Sequence, residues 1–539
     1  MKKSIALVLS IGIVFAAFGC SRKETEKQTS SATTELLESQ TATEISEEPT
    51  EETSETTPAE VKESLVKHDL QYLPLHIETE RDAFFGKPIK RTLEDEFDSD
   101  TKYERTTYPE VYLRREVFAF EGTEYAELQE KVNAIVEPGL EELKEEYKSM
   151  VDAFKAGKDP TPYSESSLYM GFNSISLYRA DTQVLSFAVS SDYIDNSRNH
   201  SGAYSFDSRT AEPILLDDVV KDKEALADLV KENLNLSDSF EMFYRTAEEI
   251  ADEILNGTMG FVLLYDGICF TGEYGPRVSA LAHPEIFNME YFGHTPENYS
   301  LLASSKQVDP ERMESFVEQY LYVDGGLIWD FNEDGQLDCL SATHDTKNSE
   351  ITLFGNTNHF NEDYSYLTFV QVGDEKYLFA RTLFTIGSFE IQSDGQLEII
   401  ADDSGFRPQE PMIDPDRFVN EERVDMLNAG AFYMYKQAAI EGGNVIRQGD
   451  YTDSGDGHRL KVDLTGKKYD IVSGTEGEEI QVEKDSYLVF ENYCEEDGGN
   501  KLICRVYEMN VEEYEYVIFT LDRSTFTLQR HDYADLFHH

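Results

Sequence analysis

Residues 184–218 read VLSFAVSSDYIDNSRNHSGAYSFDSRTAEPILLDD, and the fold class follows from how this stretch is divided. Val184 to Ser190 and Ala203 to Phe206 carry the aromatic and β-branched residues of strands. Asp207 to Pro213 is polar and turn-like, and Ile214-Leu215-Leu216 then leads into Asp217-Asp218. Upstream, Tyr108 to Phe120 and Ser174 to Tyr178 are further strands. Between them Thr123 can cap a helix with Leu128, Val132 and Ile135 on one face. Pro138-Gly139 is expected to break it, and a second helix then runs from Leu140 to Ala156 with Leu143, Tyr147, Met150 and Phe154 at helical spacing. Downstream, helices near Lys223–Leu234 and Phe240–Leu255 precede strands Phe261–Tyr265 and Ile268–Thr271, joined at Asp266-Gly267. Strand, helix, strands, helices, strands is the order of an α+β domain with a mostly antiparallel sheet.

The rest of the chain frames this domain. Lys2 and Lys3 precede an apolar run, Ser4 to Phe18, that is shorter than the roughly 20 residues of a membrane span and reads as a secretory signal. Ala17-Phe18-Gly19-Cys20 resembles the lipobox of bacterial lipoproteins, which implies acylation of Cys20 and a lipid-anchored chain on the extracytoplasmic face of the cell membrane. Ordinary cleavage after Ala17-x-Gly19 would instead leave Cys20 a thiol. Residues 21–62 are dominated by Glu, Ser, Thr, Ala and Gln, a composition that cannot offset its chain entropy and predicts a disordered acidic tether.

Asn298 to Ser305 reads as a linker, and 306–539 as a β-rich α+β region of one or two subdomains. There, Asp309-Pro310 and Asp414-Pro415 are expected to open helices, the second running through about Ile440 to Gly442-Gly443. Short β-like runs fill Gly326 to Asp402 and return at Tyr487–Tyr493, Leu502–Tyr507 and Tyr516–Leu521.

The net charge of −59 disfavours nucleic acid, whose phosphates require Lys and Arg clusters, and is compatible with steering a basic partner. Cys494 and Cys504 flank the turn Asp497-Gly498-Gly499-Asn500 almost symmetrically, which makes them a candidate disulfide across a hairpin. No His-Glu-x-x-His, Gly-x-Ser-x-Gly or phosphate loop occurs, and no organic cofactor is implied.

The sharpest motif is Asp330-x-Asn332-x-Asp334-Gly335-Gln336-x-Asp338. Oxygen ligands at positions 1, 3, 5 and 9, the Gln336 carbonyl at 7 and a turn-forming Gly at 6 suit Ca2+ in a structural role. Position 12 is Ser341 where a bidentate acid is usual, and a polar Asp-Gly turn uses the same residues.

Taken as a set, Val184-Leu185-Ser186, His200-Ser201-Gly202, Tyr204-Ser205-Phe206-Asp207, Thr210 and Leu215-Leu216-Asp217-Asp218 resemble the RsiV-type extracellular domain. Phe261–Tyr265, Asp266-Gly267-Ile268 and Tyr274-x-Pro276 are similar to the end of the same pattern. The segment from about Thr107 resembles the companion module of PdaC-like proteins, so the likeness spans roughly 105–300. Ala211-Glu212 stands where that family usually has Gly-Lys.

The resemblance implies a non-catalytic module that binds or senses a cell-wall-associated ligand, either a lysozyme-like protein or peptidoglycan. The deacetylase signatures of PdaC-like enzymes, Thr-Phe-Asp-Asp and a His-x-x-x-His pair, are missing. Two other readings stay open: an extracellular cell-wall hydrolase with its site in 306–539, and a calcium-braced adhesin.

Overall fold

The computed structural model describes residues 63–539 except 95–101, 161–167, 193–198, 235–246, 271–275, 308–320, 346, 383–384, 425–426, 428–431, 454–456, 495–499, 523–524, 526 and 539. Cys20, the 21–62 tether and the helix expected at Asp309-Pro310 therefore lie outside the described residues.

The first sheet is built on β1 (Leu75–Phe85), whose whole length pairs antiparallel with a later strand. After it come the hairpin β2 (Ile89–Glu94) and β3 (Lys102–Thr107), then β4 (Glu110–Phe120), the partner of β1. One helix, α1 (Ala126–Lys155), crosses to β5 (Leu168–Ala180), which runs parallel to β4 as far as Arg114↔Phe172. Next come β6 (Val184–Asp192) and β7 (Asn199–Asp207), giving the order β1-β4-β5-β6-β7. The expected break at Pro138-Gly139 does not occur. Leu128, Val132, Val136, Leu140, Leu143, Tyr147, Val151 and Phe154 are all buried at helical spacing. Packing along that unbroken face outweighs the roughly 3 kcal/mol that an interior proline costs.

Helices α2 (Leu216–Val219), α3 (Lys223–Leu234) and α4 (Ala247–Asn256) lead to β8 (Phe261–Leu263), β9 (Gly267–Phe270) and β10 (Pro276–Ser279). Gly267 is required at the β8–β9 turn, because a Cβ there would stand 2.0 Å from the Val278 carbonyl oxygen. The expected linker is a buried strand, β11 (Tyr299–Ser304). It is followed by β12 (Lys306–Gln307), β13 (Leu321–Tyr322), β14 (Leu327–Trp329), β15 (Asp338–His344), β16 (Ser349–Leu353) and β17 (Asn356–Phe360). Then come β18 (Tyr366–Val372), β19 (Glu375–Arg381), β20 (Ile386–Ile391) and β21 (Leu397–Ala401). β13 joins the earlier strands in the sheet β13-β10-β9-β8, and the others make two sheets, β11-β18-β19-β20-β21 and β12-β15-β16-β17, with β14 paired to β15. One apolar core runs from Val66 to Met412 through both, so no hydrophobic boundary falls near residue 305.

The helix expected from Asp414-Pro415 is instead β22 (Phe418–Val424) and β23 (Phe432–Glu441). Gly442 and Gly443, expected to stop a helix, both have positive φ and turn β23 into β24 (Asn444–Asp453). The aromatic run Phe432-Tyr433-Met434-Tyr435 suits a pleated surface, and cross-strand pairing decides in its favour. β25 (Gly457–Arg459), β26 (Leu464–Asp470), β27 (Thr475–Val482), β28 (Tyr487–Cys494), β29 (Asn500–Tyr507), β30 (Tyr514–Asp522) and β31 (Thr527–Leu528) complete a ten-stranded sheet, closed by α5 (Tyr533–Leu536). The chain is thus α+β and strand-rich, with mostly antiparallel sheets, and Val61–His539 clusters as one unit. No helix among the described residues is long and apolar enough to cross a membrane.

Candidate functional site

The acidic loop connects β14 to β15 in register Trp329↔Asp338. Asp330 is fully buried, and its Oδ1 accepts from the Asp334 N–H (3.0 Å) while Oδ2 accepts from Gly335 N–H (3.1 Å). Asn332 Oδ1 accepts from Asp334 N–H (2.9 Å) and Asp334 Oδ1 from Gln336 N–H (2.8 Å). Glu333 and Gly335 take positive φ, so the backbone wraps tightly around the buried acid. Burial raises the pKa of Asp338, and the charges of Asp334 and Asp330 add to it. Its Oδ2 is buried without a hydrogen-bond partner. Among the described residues, however, no three His, Cys, Asp or Glu side chains gather closely enough to hold a metal ion. Asp334 is turned back onto Gln336, and Ser341 lies in β15 opposite Thr352, outside the loop.

The β28–β29 hairpin forms, but it does not align its cysteines. Cys494 stands opposite Lys501 and Cys504 opposite Phe490. The four residue steps from 490 to 494 span about 13 Å, whereas a disulfide needs Cα atoms within about 7 Å. A bulge between Phe490 and Asn492 shifts the register, and Cys504 packs into the core. The expected disulfide is therefore corrected: no Cys494–Cys504 bridge is present.

A surface cleft of about 540 Å³ lies where the β7 turn meets the chain before β1. Its wall is the turn that the sequence places at Asp207–Pro213. Asp207 accepts from the backbone N–H groups of Arg209 (2.9 Å) and Thr210 (3.2 Å) and from Arg209 Nη2 (2.8 Å). Burial raises the Asp207 pKa, but these bonds from Arg209 and Thr210 bring it below the usual carboxylate value. Ala211 sits at φ 55°, the left-handed conformation for which glycine is the natural choice, so its Cβ strains the turn.

Behind the cleft, Arg179 is enclosed and donates to Asp181 Oδ2 (2.6 Å), the Tyr291 carbonyl (2.6 Å) and Gln183 Oε1 (3.1 Å). Asp181 in turn accepts from the N–H groups of Gln183 and Val184, so the network holds Gln183, a residue of the cleft lining, in place. Also on the lining, His294 Nδ1 lies 2.9 Å from Asp69 Oδ1, and this bond lowers the Asp69 pKa. The Ser208 hydroxyl on this lining is buried with no hydrogen-bond partner.

Two side-chain pairs imitate catalytic groups. Ser305 Oγ is 2.5 Å from His344 Nδ1, but it also lies 2.6 Å from the Tyr364 carbonyl, to which its proton goes. The imidazole must then donate to Ser305, the reverse of what a nucleophile needs. Glu116 and Glu410 accept from N–H groups two residues apart on β5, Ile175 (2.8 Å) and Leu177 (2.6 Å). Burial pushes the Glu410 carboxyl up to about 8, opposed by the Leu177 N–H and reinforced by Glu116. Glu116 is only 2% exposed, which leaves it no access to a polymer.

None of the cleft residues stood out in the sequence, although Ser208 and Arg209 lie inside the quoted turn. Glu116 and Glu410 leave no local signal at all.

No protein-family model and no curated protein matches this chain. Among solved structures it is similar to a DUF3298 family member from Bacteroides fragilis, at 12% identity and TM-score 0.22, covering 40% of this chain and 95% of that one. It is also similar to a DUF3298 family protein from Pseudomonas aeruginosa, at 14% identity and TM-score 0.25, covering 41% and 97%.

Proposed function

We propose that this chain is a non-catalytic surface lipoprotein, anchored through Cys20, whose N-terminal α+β region binds a cell-wall-associated ligand. The candidates are a lysozyme-like protein and peptidoglycan. The observation that supports this most is the cleft: polar groups line it, and one of them, Gln183, is fixed from behind by Arg179 and Asp181, which is how preformed binding sites are built. Co-sedimentation of the whole chain with insoluble peptidoglycan, and pull-down with lysozyme at low and moderate salt, test the reading. Retention by neither removes it.

Calcium at Asp330, Asn332, Asp334, Asp338 and the Gln336 carbonyl would brace the loop and play no part in chemistry. The orphaned Asp338 Oδ2 and the mutual repulsion of the acids fit a hard cation. The Asp334–Gln336 contact is what binding must displace.

A cell-wall hydrolase with its site in 306–539 is the second reading, favoured by Glu410, whose carboxyl burial pushes up to about 8, as a general acid requires. A peptidoglycan zymogram with and without chelator separates the two, because clearing cannot come from a pure binder.

A further inference from the structure

Two basic groups line the cleft, Arg209 and His294, and each already faces an acid: Asp207 at 2.8 Å and Asp69 at 2.9 Å. Glu124 adds an exposed carboxylate to the same lining. An anionic ligand therefore finds no uncompensated cation here, and the polar walls do not suit a purely apolar one. What remains is a supply of neutral hydrogen-bonding positions. Thr182 Oγ1 accepts from the Gln71 N–H (3.3 Å), which leaves its own proton to donate. Ser208, 3% exposed, has a hydroxyl with no partner. A buried hydroxyl left unpaired is destabilising, so it marks a place where a further polar group belongs. Tyr125, half-buried beside Glu124 and tilted against Phe120 at 5.8 Å, brings a six-membered aromatic ring to the lining.

We propose that this cleft takes a ring of a neutral saccharide. The pyranose C–H face packs on Tyr125, and its hydroxyl or acetamido groups meet Thr182, Ser208 and the acids Asp69 and Glu124. The cleft volume of about 540 Å³ falls within the roughly 300–1,000 Å³ of small-ligand sites. The chemistry is the usual one for sugars: planar carboxylates accept from adjacent hydroxyls while an aromatic face covers the apolar side of the ring. This inference rests on the binding reading above and names its ligand class.

The test is calorimetric titration of the whole chain with chitotetraose, and with tetragalacturonate as the anionic counterpart. Chitotetraose is expected to bind in the range of about 0.1–1 mM, and the Asp69→Ala/Glu124→Ala double variant to weaken it at least about tenfold. Both altered side chains are at the surface, and an unchanged melting temperature shows that the fold is kept. Ser208→Ala is expected to weaken binding about threefold.

Absence of chitotetraose binding, equal binding by the double variant, or tighter binding of tetragalacturonate overturns the proposal. Peptidoglycan co-sedimentation of the same variants keeps the two ideas apart. If the double variant still sediments while chitotetraose fails to bind, the cleft assignment falls and the wall-binding reading stands.

Discussion

Asp330 accepts a hydrogen bond from the hydroxyl of Ser64 at 3.1 Å, across 266 positions of chain, and a second from the Leu65 N–H at 2.9 Å. The first described residues are thereby fastened to the acidic loop. His68 extends the seam by stacking on Tyr299, ring centroids 5.6 Å apart.

Replacing Asp330 with Ala removes the acceptor of four part-buried hydrogen bonds at once, those from Ser64, Leu65, Asp334 and Gly335. We expect a loss of about 3 kcal/mol in urea unfolding and faster amide exchange at 64–68. A change within about 0.5 kcal/mol would show that the seam contributes little.

Calcium should raise the melting temperature of the whole chain, and magnesium at equal concentration should not, because the loop offers oxygens at flexible spacing. At a hundredfold excess over Kd the stabilisation is about 2.7 kcal/mol. Asp334→Ala and Asp338→Asn should each abolish it. A calcium shift that survives both places the ion elsewhere.

Glu410 holds its proton up to about pH 8 in the native state, whereas in the unfolded chain it loses it near pH 4.3. The native state binds more protons between those values, so this group's contribution falls as pH rises through the window. Glu410→Gln should remove the trend and stabilise the protein at pH 8 by roughly 2–4 kcal/mol, allowing for partial exposure. Equal stability differences at pH 5 and pH 8 would contradict it.

His458 behaves oppositely. Packed among Phe432, Phe490, Tyr533 and Phe537, it is held neutral by burial, which lowers its pKa to about 4. The unfolded chain takes up the proton near pH 6.5, so stability is lost as pH falls from there to about 4, by at most about 3 kcal/mol. His458→Leu should flatten that acid limb. The difference between wild-type and variant unfolding curves at pH 7 and pH 4.5 reads the effect directly.

Local pattern was enough to find β4, β6, β7 and the β28–β29 hairpin, because alternation and turn residues act within a few positions. It failed at 414–440. Asp-Pro is a helix opener in isolation, but the segment that follows fits a strand equally well and was captured by its neighbours. It failed again at Pro138, where the sheet beneath α1 rewards a continuous apolar face. The acidic loop was legible as a motif. Whether its carboxylates converge was not, since that depends on side chains answering to Ser64, Leu65 and Gln336.

Sequence alone therefore determined the strand-rich α+β character, the Asp-Gly turns and the residue types of the candidate calcium loop, all of which arise from short-range propensity. Tertiary structure alone decided the rest. It set Cys494 and Cys504 apart through the register of their hairpin, brought Glu410 beside Glu116, and assembled the cleft from Asp69, Tyr125, Ser208 and His294. The physical reason is separation along the chain. Such contacts form only after distant segments have packed, and a shift of one residue in a strand redirects every side chain beyond it.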